Sequence, residues 1–187
     1  MKKALRIMGA IILSLIAISI FMPDPETTQA SASELTTKET ATEPAIPESV
    51  WSYSEDIDKM TDEKKYFARV TSTNEIEFDF PYHGGSNFDI VARKDGKETD
   101  LMLTVTKGQF ISSMGDEIIS MKFDNGKVEK YYYTMAADGS ADVIFFSNPA
   151  KIIKKLKGAK KVKIEAMFYD AGKKVIEFDV DGLKWNH

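Results

Sequence analysis

From Tyr66 to Val180, apolar residues fall at every second position in short runs, and each run stops at a turn signal. Successive side chains of an extended strand point to opposite faces, so this period commits the chain to half-buried strands. Runs occur at Tyr66–Thr71, Glu75–Phe80, Phe88–Arg93, Leu101–Val105, Ile118–Phe123, Val128–Met135 and Val143–Phe146. In Glu75–Phe80 the pattern puts Ile76, Phe78 and Phe80 on one face, with Pro81 and Gly84-Gly85 closing it. Asp95-Gly96 and Asp124-Asn125-Gly126 are hairpin turns by composition. Val162–Tyr169 and Lys173–Val180 form a last hairpin around Asp170-Ala171-Gly172.

One helix interrupts the strands. Ser147 or Asn148 supplies a capping oxygen, Pro149 suits the first turn, and Gly158 stands where a helix ends. Ile152, Ile153 and Leu156 make its apolar stripe. No strand–helix alternation calls for a parallel sheet. The expected class is mainly β (α+β): an antiparallel β-sandwich or open barrel with one late α-helix.

Ahead of this domain lies a different kind of sequence. Lys2, Lys3 and Arg6 precede an uncharged run from Ile7 to Met22, and Ala30-Ser31-Ala32 offers a small-x-small cleavage site. Residues 1–32 therefore read as a signal peptide cut after Ala32. The competing reading is an uncleaved anchor over residues 4–22, since 16 residues rise only about 24 Å against a hydrocarbon core of about 30 Å. Either one sends the rest of the chain across a membrane, to a periplasmic or extracellular site. Residues 33–49 are rich in Thr, Glu, Ala and Pro and have too little apolar surface to offset ordering entropy, so they read as a disordered linker. Residues 50–187 are the expected single β-rich domain.

The chain contains no cysteine. Disulfides, thiolate nucleophiles, zinc–thiolate sites and iron–sulfur clusters are excluded, as is a lipid-modified cysteine. Without its leader the chain is about five charges negative, which argues against nucleic acid as a partner. The expected metal and cofactor complement is none. Asp138-Gly139-Ser140-Ala141-Asp142 lacks the spacing of a calcium loop and reads as a turn.

Three groups of residues stand out as candidate contact surfaces. Tyr82 and His83 lie in a Pro- and Gly-bearing loop with Ser86, the one place where a histidine and a hydroxyl come close enough in sequence to suggest a hydrolase. Tyr131 and Tyr133 face one side of a strand and Tyr132 the other. Lys154, Lys155 and Lys157 belong to a run of lysines from Lys151 to Lys163 suited to an anionic polymer or headgroups.

The blocks Phe80-Pro81-Tyr82-His83-Gly84-Gly85, Lys107-Gly108-Gln109-Phe110, Met121-Lys122-Phe123-Asp124-Asn125-Gly126 and Phe178-Asp179-Val180-Asp181-Gly182-Leu183-Lys184-Trp185 follow one another between Trp51 and Trp185. In this the domain resembles small exported bacterial β-rich proteins of unknown function. The block order is remotely similar to the TagO/VasI group of type VI secretion accessory proteins. The resemblance implies a β-rich fold and an exported location, and assigns no functional residue. The expected function is an exported, non-enzymatic, envelope-associated binding or accessory module whose partner is an envelope protein or an anionic surface polymer. The alternatives are a secretion-system accessory protein and a hydrolase using His83.

Overall fold

The computed structural model describes residues 49–111 and 117–187. The leader, the anchor and nearly all of the linker lie outside the described residues. Eleven strands and one helix follow in order: β1 Ser52–Ile57, β2 Lys64–Thr71, β3 Ile76–Glu77, β4 Gly85–Ser86, β5 Phe88–Asp95, β6 Glu98–Val105, β7 Ile118–Phe123, β8 Val128–Met135, β9 Val143–Phe146, α1 Pro149–Leu156, β10 Lys161–Phe168 and β11 Gly172–Asp179. Nine of the strands form one antiparallel sheet in the order β1-β2-β5-β6-β9-β8-β7-β10-β11, and β3 pairs with β4 apart from it.

The large sheet does not close into a barrel. Scattered bonds, in place of a ladder, tie residues flanking β1 and β2 to β11 and its end. Trp51 Nε1 donates to the carbonyl of Val180 at 2.9 Å, beside the end of β11. Thr73, just past β2, donates its N–H to Glu177 of β11 at 2.8 Å, and Asn74 both accepts from and donates to that strand. The outer edge of β11 is thereby capped, which protects it from pairing with other chains.

One face of the sheet holds one apolar core. Every second residue feeds it, as the sequence period demands: Ile90 of β5, Leu103 of β6, Met121 of β7, Ile144 of β9, Ile164 of β10 and Ile176 of β11. Phe168 is its aromatic centre. Its ring lies 4.9 Å from Phe110, 5.2 Å from Phe78 and 5.5 Å from Phe88, centroid to centroid. The segment around Phe110 reaches this centre by pairing with the end of β10, where Tyr169 N–H donates to Gln109 O and Ile111 N–H to Met167 O.

The helix is held by packing. An eight-residue helix is too short to persist alone, but Ile152, Ile153 and Leu156 are buried on the side facing β6. Burial of each contributes about 1.5–3 kcal/mol relative to exposure. Asn148 is the cap, its Oδ1 accepting from Lys151 N–H at 3.2 Å, and Pro149 occupies the first turn.

Two local expectations differ from the structure. The run Glu75–Phe80 forms a strand only at Ile76–Glu77, and Phe80 is 78% exposed, away from the core face. Tyr82 N–H donates to Asp79 O at 2.9 Å, so the chain turns at Asp79 and the alternation lapses. Pro81 has no N–H to continue a ladder. Conversely, β1 was not expected. Its sequence, Ser-Tyr-Ser-Glu-Asp-Ile, is exposed at every position, as suits an edge strand; β2 pairs with it along its length, and the Tyr53 hydroxyl accepts from Lys184 N–H at 2.8 Å.

Candidate functional site

Helical spacing divides the lysines of α1. Lys151 and Lys155 are four apart and share a face, and Lys154 and Lys157 share another. The first pair turns toward β7 and β8. Lys155 bonds to Glu129 and lies 5.3 Å from the centroid of the Phe123 ring, while Lys151 sits 5.4 Å from that of Tyr131. These cations are engaged within the fold. Lys154 and Lys157 are exposed and turn the other way, toward Trp185 and His187.

There a cleft opens. The His187 ring stacks on Tyr66 with centroids 4.1 Å apart and planes 18° from parallel, and meets Trp185 edge-on at 5.0 Å. On one side of His187 a cavity of about 270 Å³ is bounded by Thr99, Ile153, Lys154, Lys157 and Trp185. On the other, a cavity of about 260 Å³ is bounded by Tyr53, Glu55, Phe67 and Lys184. Trp185 belongs to both and is 3% exposed. Its Nε1 has no hydrogen-bond partner among the described residues, whereas Trp51 Nε1 is satisfied by Val180. Exposed lysines at the rim of such a cleft suit a ligand with negative groups.

The Glu129 carboxyl is held below its ordinary range, chiefly by the Lys155 hydrogen bond and then by the Tyr131 hydroxyl, which donates to it at 3.0 Å. Burial, then the neighbouring carboxylate, pushes the Tyr131 phenol up. A depressed folded-state value means that Glu129 stabilises the fold above the ordinary glutamate value of 4.5, and that this contribution disappears as pH falls through the folded value. The Lys155→Met variant should therefore melt below wild type at neutral pH. The gap should narrow as the pH drops under 4.5 in a thermal-melt series.

The residues expected to form contact surfaces do not converge on one site. Tyr131 and Tyr133 point into the core at 5% exposure each, and Tyr132, at 66%, is the tyrosine that meets solvent. The core-facing pair is filled by packing because Ile119 and Met121 lie on the same side of the adjoining strand. Tyr82 is half-buried in a small gap against Phe78 and Ala171, while His83 is exposed, 5.9 Å from the Phe80 ring. This loop sits by the β10–β11 turn, and the lysine cleft by the start of β10. The eight residues of β10 put about 25 Å between those ends. Among the described residues, Ser86 is fully buried with its Oγ unpartnered, so no hydrogen bond links it to His83. Asp138 closes its own turn by accepting from Ser140 N–H at 2.9 Å.

The cleft at Trp185 and His187 was not read from the sequence, because the block that ends at Trp185 assigns no functional residue and His187 belongs to no period or motif. The signal available was the run Gly182-Leu183-Lys184-Trp185. It alternates after the last strand and so continues inward packing, with Leu183 and Trp185 buried and Lys184 exposed.

No family model matches the chain, and no curated protein matches it. Its fold is similar to that in the crystal structure of invasion associated protein B from Bartonella henselae, at 16% identity over 72% of this chain and 86% of that one, with a TM-score of 0.44. The comparisons do not show the TagO/VasI link. Among the described residues, no helix is long and apolar enough to cross a membrane.

Proposed function

We propose that the chain is an exported, non-enzymatic envelope module that binds an anionic surface polymer in the cleft between α1 and the Trp185–His187 segment. One observation carries this reading. Lys154 and Lys157 face a cleft floored by a buried tryptophan, while Lys151 and Lys155 are engaged elsewhere. Two cations at the rim of the cleft fit a chain of charged groups joined by sugars or polyols. The burial of Ser86, whose Oγ has no hydrogen-bond partner among the described residues, supports binding over hydrolysis.

Calorimetric titration of the full chain with poly(glycerol phosphate) tests the proposal. Each lysine near an anionic surface contributes about 1 kcal/mol at low salt. The Lys154→Gln/Lys157→Gln variant should thus bind about 30-fold more weakly. Wild-type binding should fade as salt rises. An unchanged affinity in the double variant, with unaltered tryptophan fluorescence on titration, would remove the cleft from consideration.

A further inference from the structure

A second basic feature lies on the outer face of the sheet, away from the core. Outward positions of β7 are Ile118, Ser120 and Lys122. Ser120 stands between Lys130 of β8 and Glu165 of β10, and Lys122 stands between Val128 and Lys163. The short Ser120 side chain among longer neighbours leaves a trough across four strands. It consists of two depressions of about 150 and 200 Å³ that share Ser120 and Glu165.

Charge at this trough is uneven. Lys122 and Lys163 are direct cross-strand partners, an arrangement of like charges that is unfavourable without a counter-charge. Glu177 takes Lys163 at 2.6 Å, and Glu165 takes Lys173 at 3.1 Å. Among the described residues, Lys122 and Lys130 have no carboxylate within ion-pairing distance. Between the lysines, Val128 and Val175 present exposed aliphatic walls, at 64% and 45%. A trough with a surplus of cations and apolar walls between them is complementary to a chain in which oxyanions alternate with short carbon spacers.

We infer that this trough binds consecutive oxyanion groups of a polymeric ligand, with Lys122 and Lys130 meeting the negative groups over Ser120 and the two valines lying against the spacer. The inference rests on the envelope-module reading for its choice of a polymer as occupant, but on residues that the cleft does not use.

The experiment is an amide-detected NMR titration of the full chain with poly(glycerol phosphate), run in parallel with inorganic phosphate at equal phosphate concentration. The polymer should shift the Ser120 and Lys122 amides, and inorganic phosphate at that concentration should not. Lys122→Gln/Lys130→Gln should weaken the response at those amides about 30-fold, as for the two cleft lysines. Lys97→Gln, on the β5–β6 turn, should leave it unchanged. Lys154→Gln/Lys157→Gln should abolish changes at the Trp185 indole signal while those at Ser120 persist, so the trough and the cleft can fail separately. The inference is overturned if Ser120 does not respond to the polymer, if the Lys122→Gln/Lys130→Gln variant responds like wild type, or if inorganic phosphate acts equally well.

Discussion

Phe168→Ala should lower stability by about 3–5 kcal/mol, the range for truncating a large aromatic residue in a packed core. For a folded unit of this size that is a drop of about 10–15 °C in midpoint temperature. The size of the effect follows from position. Phe168 is 1% exposed and contacts rings from three separate places: Phe78 after β3, Phe88 at the start of β5 and Phe110 in the segment beyond β6. None of these can fill the space alone, because each is held by its own backbone pairing. Urea titration followed by circular dichroism should show an earlier midpoint with an unchanged slope. A loss under 1 kcal/mol would mean that these rings do not form the centre of the core.

Gly108→Ala should destabilise by about 2–4 kcal/mol, combining backbone strain with overpacking. Gly108 has φ +110°, a region that residues with a Cβ rarely adopt. An added Cβ would also stand 2.9 Å from Phe78 Cε2. Phe78 is buried against Phe168 and has little room to retreat. Gly139→Ala is the control. That residue has φ +84° but nothing within 4 Å of the added carbon, so it carries the backbone penalty alone. The difference in denaturant midpoint between the two variants isolates the clash with Phe78, and equal effects would rule it out.

The features of the fold that were legible in the sequence are those with local causes. Hairpins at Asp95-Gly96 and Asp170–Gly172 were marked by residues that take positive φ, and Gly96, Asp170 and Gly172 do so. The Asn148–Pro149 start of α1 was legible because a cap and a first-turn proline are adjacent in sequence. At Asp124-Asn125-Gly126 the turn was legible but its second role was not. Asp124 Oδ1 also accepts from the N–H groups of Lys160 and Lys161, 36 and 37 residues away, and so seats the start of β10 beside β7. Long-range pairings such as β6 with β9, or Thr73 with β11, leave no local trace. The edge strand β1 was hidden because it buries none of its residues and so has no apolar period.

Of the candidate surfaces, the lysine run was visible as charge, but its division was not. Period 3.6 separates Lys154 and Lys157 from Lys151 and Lys155, yet only the positions of Glu129 and Trp185 decide which pair faces a cleft. Tyr131-Tyr132-Tyr133 shows the converse limit. Alternation put Tyr131 and Tyr133 together but did not say which face was core, and burial assigns solvent contact to Tyr132.

Immunoblotting the native protein in cytosolic, envelope and culture-medium fractions tests export and envelope attachment together. An exported polymer-binding module should be recovered with the envelope or outside the cell, and added poly(glycerol phosphate) should release it from washed envelopes where an uncharged polymer does not. Recovery of the full-length chain in the cytosolic fraction, with no affinity for envelopes when mixed with them, would contradict it.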